Sequence, residues 1–277
     1  MSLHTDKQRS GVWIALPVFN EERALGPLLD RFLKLSGQGL GLKGVIVVDD
    51  GSTDGSAAVL ESYSRVLPIK VLRHPANLGL GETIQDALRA AAGEATPLDI
   101  VITMDADNTQ PPELIPQMLA AVDAGNDVVI ASRYRKSAAV SGLSAFRTLM
   151  SWGALFLFRA LVPIRNVRDY TSGFRAYRAG ALQRVLELHS GRLSEERGFA
   201  CMAEILVKFG AAGVRIAEVP LLLRYEMKGG ASKMNILATI QRTARVAWRN
   251  RFSASLREPQ KRGDQPAGST RQAGPPQ

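Results

Sequence analysis

Residues 99–113, DIVITMDADNTQPPE, are the stretch on which the predicted fold depends. Residues 100–104 form a short apolar run that is typical of a buried strand. The run ends on two carboxylates, Asp105 and Asp107, just before Pro111 and Pro112 open a helical pattern. Carboxylates at the carboxyl end of a central parallel strand lie where open α/β sheets bind their ligands.

Two interpretations of this carboxylate pair are open from the residues alone. A pair of hard oxygen ligands suits Mg²⁺ or Mn²⁺, which bind one or two carboxylates and complete their shell with substrate phosphates and water. Alternatively, Asp-Ala-Asp-Asn is ordinary loop and capping chemistry between a strand and a helix. Because Asp-x-Asp alone is a weak signal, the choice between them depends on the rest of the chain.

The first half of the chain repeats the same strand-then-helix pattern. This repetition with short connections predicts an α/β fold with a mostly parallel sheet and helices on both faces. Asp54 is the expected N-cap of the second helix. The predicted strands are 12–16, 44–48, 69–72, 100–104 and 127–131, and the helices are 21–36, 54–65, 81–92 and 112–124.

The pattern changes after residue 134. Residues 137–144 are rich in Ser, Ala and Gly and predict a mobile loop, whereas residues 145–162 form an unusually apolar helix. We expect a flexible N-terminus at 1–11, a catalytic domain at 12–234 divided after residue 132, a basic amphipathic helix at 235–256 and a disordered tail at 257–277. Within the second half, helices are predicted over 179–189, 199–210 and 235–252, and a strand over 214–224.

Charge is distributed unevenly along the 277 residues. Residues 1–132 carry 10 Lys/Arg and 17 Asp/Glu, a net of −7, and residues 133–277 carry 25 and 9, a net of +16. A strongly basic half indicates an anionic partner. No nucleic-acid motif is present and aromatic residues are few, which favours a membrane surface over nucleic acid. A single cysteine excludes an internal disulfide, and no apolar run reaches the roughly 18 residues of a spanning helix.

Polar clusters follow the first three strands as well as the fourth. Because parallel strands end at one edge of the sheet, these clusters are expected to converge with the carboxylate pair. Carboxylates and amides there can accept the N–H groups of a nucleobase or bind a ribose, although each is also an ordinary turn residue. The clusters are PVFNEE at 17–22, DDGSTD at 49–54 and NLGLG at 77–81.

As a set, these motifs resemble family 2 glycosyltransferases of the GT-A fold. The resemblance covers about residues 12–252 and includes the MDAD strand end and SRY at 132–134. DYTSGFR at 169–175 and GASKM at 230–234 are similar to the branch that makes dolichyl- or polyprenyl-phosphate mannose or glucose. The resemblance implies an inverting transfer of a hexose from a GDP- or UDP-sugar to a polyprenyl phosphate.

The resemblance also implies roles for individual residues. Asp105 and Asp107 would hold Mg²⁺ or Mn²⁺, and Arg133 would join them as a catalytic residue. The family often has Gln two residues after the second aspartate; this chain has Thr109, so Thr109 or Gln110 is the candidate third ligand. The predicted donor-binding residues are Pro17, Phe19, Asn20, Glu21, Val48, Asp49, Asp50, Asn77, Gly79 and Asp105. The resemblance assigns the acceptor phosphate to Ser132, Arg133, Arg147 and Ser151, and Arg175 and Lys233 are further candidates because their charge suits a phosphate.

The chemistry of a phosphate acceptor fits this residue set. Such an acceptor is already an anion near neutral pH, so its attack needs no general base, and none of the three histidines is required. Arginines that grip phosphate oxygens are needed instead. Glu204 is a candidate for fixing one of those arginines. The open alternatives are a family 2 enzyme with another lipid or saccharide acceptor, and a non-catalytic membrane-binding subunit.

Two helices are expected to bring the protein to a membrane. In the 235–252 helix, apolar residues ending in Trp248 share one face, with Arg242, Arg245 and Arg249 opposite, which is typical of an interfacial helix. The alternative is a helix packed on the sheet with a solvated outer face. The 145–162 helix contains Trp152 and is flanked by arginines. We therefore expect peripheral association with the cytoplasmic leaflet, whose anionic lipids attract basic segments.

Overall fold

The structure is a computed structural model that describes residues 11–136, 138–141 and 160–224, together with 241, 242, 245, 246, 248 and 249. Its strands are β1 Val12–Val18, β2 Leu42–Asp49, β3 Ile69–Arg73, β4 Ile100–Thr103, β5 Val128–Ser132, β6 Ala139–Ser141, β7 Arg175–Arg178, β8 Ile216–Pro220 and β9 Leu222–Arg224. Its helices are α1 Glu22–Gly37, α2 Ser56–Tyr63, α3 Leu80–Glu94, α4 Ile115–Asp123, α5 Ala179–Leu188 and α6 Ala200–Ala211.

Seven of these strands form one sheet in the order β3-β2-β1-β4-β7-β5-β8. All neighbours pair in parallel except β7, which runs antiparallel between β4 and β5. β4 and β5 therefore point the same way, and their carboxyl ends lie at the same edge of the sheet. This confirms the predicted α/β fold with a mostly parallel sheet.

Helices cover both faces of the sheet because successive strand residues point to opposite sides. Ile14 packs with α1 and α4 on one face, while its neighbour Ala15 packs with α3, α5 and α6 on the other. The same alternation separates Val45 from Ile46 in β2. Both faces of the central strands are buried, as expected when helices cover each side of a parallel sheet.

Several sequence-based predictions of local structure were wrong. β7 was not predicted, and the expected loop at 137–144 contains β6, which pairs with β9. The single strand expected at 214–224 is two strands that belong to different sheets. Asp54 is not the N-cap of α2, since Gly55 holds that position and the Asp54 carboxylate accepts the N–H groups of Glu22 and Ser56.

Other predictions lie mostly or wholly outside the described residues. These are the flexible N-terminus, the disordered tail, most of the 145–162 helix and most of the 235–252 helix. The described residues of the last segment are helical. Both halves of the proposed catalytic domain contribute strands to one sheet. None of the described helices is long and apolar enough to cross a bilayer.

Candidate active site

In the loop after β4, the two carboxylates are partly exposed while their neighbours in sequence are buried. Between residues 101 and 110, only Asp105 and Asp107 are partly exposed, and the other eight residues are buried. A Cβ added at Gly173 would lie 3.0 Å from Asp105 Oδ1, so the absence of a side chain at that position leaves room for the carboxylate. The local packing thus presents two oxygen-bearing side chains at the sheet edge.

Hydrogen bonds within the same loop orient the two carboxylates. Gln110 Nε2 donates to Asp105 Oδ2 over 2.8 Å, and Gln110 Oε1 accepts the Asp105 N–H over 2.9 Å. Thr109 donates to Asp107 Oδ1 through its hydroxyl at 2.7 Å and its N–H at 3.1 Å. The two candidate third ligands are therefore both hydrogen-bonded to the carboxylates in this structure.

This donor set suits a divalent cation that a substrate helps to bind. The described residues contain no cluster of three or more acidic, histidine or cysteine side chains that could enclose a metal ion. Two partly exposed carboxylates instead match Mg²⁺ or Mn²⁺, because these ions keep positions for phosphate oxygens and water. Asp105 and Asp107 are chemically suitable ligands, and the assignment of a metal ion to them stays a prediction.

Arg31 braces this loop from α1, which the sequence did not indicate. Its guanidinium donates to Asn108 Oδ1 at 2.6 Å and forms a paired contact with the Glu113 carboxylate. Asn108 has a positive φ of 60°, a left-handed conformation that Asn tolerates better than most residues. The brace holds the strained residue between Asp107 and α4.

The clusters after β1 and β2 are joined by reciprocal hydrogen bonds. Asn20, at φ 53°, accepts the Thr53 N–H on Oδ1 at 2.8 Å, and its own N–H donates to Ser52 Oγ at 3.0 Å. The Glu21 N–H donates to Ser56 Oγ at 2.9 Å. These contacts place the two predicted donor-binding loops side by side.

The paired aspartates of β2 are buried and organise neighbouring turns. Asp49 accepts the Ser52 N–H at 2.9 Å and lies 3.3 Å from Arg73 Nε. Asp50 accepts the N–H groups of Leu78 and Gly79 at 2.8 and 2.9 Å. Their predicted direct contacts with a base or ribose stay predictions. Of the other predicted donor residues, Val48 is fully buried, Pro17 and Phe19 are partly buried, and Asn77 is exposed.

The glycine turn, residues 77–81, packs tightly against the segment before α6. Gly79 has a φ of 94°, and the Gly81 N–H donates to the Arg197 carbonyl at 2.9 Å. A Cβ added at Gly81 would lie only 1.7 Å from the Glu196 carbonyl oxygen. The turn therefore has no room for a side chain at this position.

Gly81→Ala is expected to destabilise the protein by about 1–3 kcal/mol, because backbone atoms must move to accept the methyl group. Gly93→Ala is the matched control in the same helix, since a Cβ there meets nothing within 4 Å. It should stabilise by up to about 1 kcal/mol, as Ala is the better helix former. Chemical denaturation measures both, and equal effects at the two glycines would contradict the packing described.

On the acceptor side, Arg133 is held by a buried carboxylate. Its Nε and Nη2 donate to the two oxygens of Asp169 at 2.8 and 2.7 Å, and Nη2 also donates to Thr171 Oγ1 at 2.7 Å. Burial would raise the pKa of Asp169, but the charge and hydrogen bonds of Arg133 hold that pKa below its usual range. The guanidinium is thus fixed in direction while about a fifth of the side chain stays exposed.

The other predicted acceptor residues have different placements. Ser132 is buried, and its Oγ accepts the Tyr134 N–H. Arg175 is fully buried and donates to the Met202 and Tyr170 carbonyls, both at 2.8 Å, so its placement favours a structural role over phosphate binding. Arg147, Ser151 and Lys233 lie outside the described residues.

Glu204 does fix an arginine, but from the C-terminal helix. Its carboxylate pairs with Arg249 and accepts the Ser194 hydroxyl at 2.7 Å. Val246 is fully buried, whereas Trp248 is 59% exposed. Among the described residues of this segment, Val246 and Arg249 therefore contact the domain, although the sequence pattern placed Arg249 with Arg242 and Arg245 opposite the apolar face.

A cavity of about 400 Å³ lies in the basic half and is lined by Arg135, residues 163–168 and Tyr170. Three of its lining residues are arginines: Arg135, Arg165 and Arg168. Arg168 Nη1 also donates to the Tyr134 carbonyl at 3.3 Å, which links the cavity to the neighbour of Arg133. Positive charge in this region favours an anionic ligand.

Comparison with known proteins agrees with this geometry. Over 219 residues, the chain is 33% identical to the dolichol-phosphate mannosyltransferase of Pyrococcus furiosus, an alignment that spans 79% of this chain and 58% of that protein. It is 30% identical to the undecaprenyl-phosphate mannosyltransferase of Micrococcus luteus, over 79% of this chain and 86% of that protein. The chain thus spans little more than half the length of the Pyrococcus relative.

Solved structures with a similar fold include the glucosyl-3-phosphoglycerate synthase of Mycobacterium tuberculosis bound to Mn²⁺, UDP and glucosyl-3-phosphoglycerate. Its TM-score is 0.64 at 22% identity, covering 88% of this chain and 81% of that chain. The fold is thus that of GT-A glycosyltransferases, and the relatives named above are glycosyltransferases. More narrowly, the family model of Glycosyl transferase family 2 matches residues 13–186, and the chain belongs to that family, as its motifs predicted.

Proposed function

We propose that this protein transfers a hexose from a nucleotide diphosphate sugar to a polyprenyl phosphate, with inversion at the sugar. The observation behind the proposal is that one loop, residues 169–173, contacts both predicted substrate sites. Asp169 and Thr171 hold Arg133, and Gly173 lies against Asp105. The same loop therefore contacts the arginine suited to the acceptor phosphate and a carboxylate suited to a metal ion on the donor diphosphate.

The donor diphosphate is assigned to the carboxylate side of this edge. A Mg²⁺ or Mn²⁺ ion held by Asp105 and Asp107 would neutralise charge on the leaving diphosphate. The loops around Asn20 and Asp49 and the glycine turn are assigned to the nucleoside. Their mutual hydrogen bonds fix the loops before the donor arrives, which lowers the ordering cost of binding.

The acceptor phosphate is assigned to Arg133. An acceptor oxygen forms a bond to the sugar anomeric carbon while the bond from that carbon to the diphosphate breaks, and the nucleoside diphosphate leaves with the electron pair. A phosphate oxygen needs no proton removed near neutral pH, so the chain's task is to bring two anions together. Arg133 offsets their repulsion, and Asp169 keeps its guanidinium oriented.

The names of the two relatives support a polyprenyl-phosphate acceptor, because one is a dolichol-phosphate mannosyltransferase and the other an undecaprenyl-phosphate mannosyltransferase. The test is a panel of labelled GDP- and UDP-hexoses with a short polyprenyl phosphate and Mn²⁺. We expect a lipid-extractable hexosyl phosphate from one donor and none after chelation. Transfer to a saccharide or to water alone would contradict the proposal and favour another family 2 activity.

We further propose that the protein reaches its lipid acceptor as a peripheral protein on the cytoplasmic leaflet. The exposed Arg242 and Arg245 lie on the C-terminal helix beside the exposed Trp248. Basic residues near anionic lipid contribute about 1 kcal/mol each, and Trp favours the interfacial layer.

Arg242→Glu with Arg245→Glu is expected to weaken binding to anionic vesicles by at least about tenfold, since two attractive charges become repulsive. Arg249 is left unchanged because it pairs with Glu204. The matched control reverses the exposed Arg23 and Arg65, which alters net charge equally in the other half. Vesicle co-sedimentation across salt concentrations measures the effect, and equal losses in both double variants would refute a specific role for the helix.

A further inference from the structure

His74 links the end of β2 to α3 through two carboxylates. Its Nδ1 lies 2.7 Å from Asp50 Oδ1, and its Nε2 lies 3.0 Å from Asp86 Oδ2. The residue follows β3 and is only 9% exposed. Nothing in the transfer chemistry assigned above uses this side chain.

The geometry favours a protonated His74 ring. An ionised carboxylate only accepts hydrogen bonds, and a neutral imidazole has one N–H, so two such contacts need both ring nitrogens to donate. Asp50 also accepts two backbone N–H groups and Asp86 pairs with Arg89, so each carboxylate acts as an acceptor in its other contacts as well. This arrangement fits an imidazolium between two aspartates.

The charged surroundings of His74 agree with that state. Burial would lower the pKa of His74, but the hydrogen bonds to Asp50 and Asp86 outweigh it, and the pKa lies above its usual value. The adjacent Arg73 turns its guanidinium towards Asp49 and the Ser52 carbonyl. The other charged groups of α3 nearby are Arg89, paired with Asp86, and Glu82, paired with Arg192.

Asp50 connects this bridge to the glycine turn. The same carboxylate that contacts His74 accepts the N–H groups of Leu78 and Gly79. We propose that His74 is a positioning residue for donor binding, whose protonated ring holds Asp50 against the glycine turn and whose deprotonation loosens that turn. The inference rests on the proposed donor role of the turn.

The direction of the pH effect follows from the bridge. The interaction is complete while His74 is protonated and is lost as pH rises through its raised pKa, when one of the two contacts loses its proton. A turn that is competent for a smaller fraction of the time binds its ligand proportionally more weakly. At pH values above about 6.5, the ordinary imidazole pKa, the donor KM is therefore expected to increase with pH, with little change in kcat.

Three full-length variants test this. His74→Gln is neutral and donates from a single nitrogen, so it does not reproduce the two-nitrogen, charged bridge. It should raise the donor KM about fivefold at low pH, as expected if the turn is competent about one fifth of the time, and flatten its rise with pH. His74→Arg retains two donors without titrating and should keep the KM low at high pH. His189→Gln is the control, because His189 follows α5 and its backbone hydrogen bonds are with Leu186 and Arg192. It should retain the parent profile.

A second readout needs no donor, so it separates this inference from the proposed function. Hydrogen exchange of residues 77–81 in the nucleotide-free protein should accelerate with rising pH more than in His74→Arg at the same pH. Thermal melting measured at each pH shows whether faster exchange is caused by global unfolding instead. If hydrogen exchange and donor KM had the same pH dependence in the parent, His74→Gln and His74→Arg, the proposal would be overturned. Exchange differences without any hexose transfer would retain the bridge and reject the function instead.

Discussion

Asp107→Ala is expected to lower transfer at least about 10³-fold while leaving the fold intact. The carboxylate is partly exposed at the sheet edge, and Thr109 of the same loop donates two hydrogen bonds to it. Little of the core depends on it, whereas charge stabilisation of a leaving diphosphate typically contributes several kcal/mol. Steady-state transfer with saturating Mn²⁺ measures the effect, alongside thermal melting.

Asp123→Ala is the matched control for this variant. Asp123 is an exposed carboxylate at the end of α4, so its loss alters net charge equally without touching the loop. Its activity should equal that of the parent. Near-normal turnover of Asp107→Ala in Mg²⁺ or Mn²⁺ would show that the metal and catalytic assignments of this residue are wrong. Asp107→Asn, which retains the side-chain size, separates loss of charge from loss of packing.

Arg133→Ala should raise the KM for polyprenyl phosphate about ten- to a hundredfold and leave the donor KM nearly unchanged. Losing a charge-assisted hydrogen bond removes about 1.5–3 kcal/mol, which corresponds to that range. The variant also removes the guanidinium that pairs with the buried Asp169, so thermal melting is measured alongside the kinetics. Arg133→Lys retains the charge but cannot reproduce the paired contact, and it should fall between parent and Arg133→Ala.

Arg184→Ala serves as the control for Arg133. It removes an exposed arginine of α5 that donates to the Ala212 carbonyl, well outside the candidate site. Both substrates should bind this variant as they bind the parent. If Arg133→Ala raised both KM values equally, with a matching loss of thermal stability, Arg133 would be a structural residue and the acceptor phosphate would bind elsewhere.

The first half of the fold was predictable because its signals are local. Each strand from β1 to β4 contains a short apolar run, and each is followed by a turn cluster and a helical pattern. β7 lacks such a signal, since it has only four residues and two of them are arginines. Its position between β4 and β5 arises from pairing with distant segments, which residue pattern alone does not encode.

The candidate site was predictable in residue type but less so in contacts. The motifs indicated which strand ends meet, and the carboxylate pair lies at that edge. They did not indicate that Asp50 would be occupied by the glycine turn and His74, or that Arg175 would be fully buried beneath backbone carbonyls. A charged residue in a motif can bind a substrate or hold a loop, and only its neighbours in space separate the two roles.

The most direct test of the central claim compares two acceptors that differ only in the phosphate. The parent protein, its preferred nucleotide sugar and Mn²⁺ are incubated with a short polyprenyl phosphate or with the corresponding polyprenol. We expect one hexosyl lipid per nucleoside diphosphate released with the phosphate, and no transfer to the alcohol, because the proposed mechanism assigns no general base that would activate a hydroxyl. Comparable transfer to the polyprenol would contradict the phosphate-acceptor assignment.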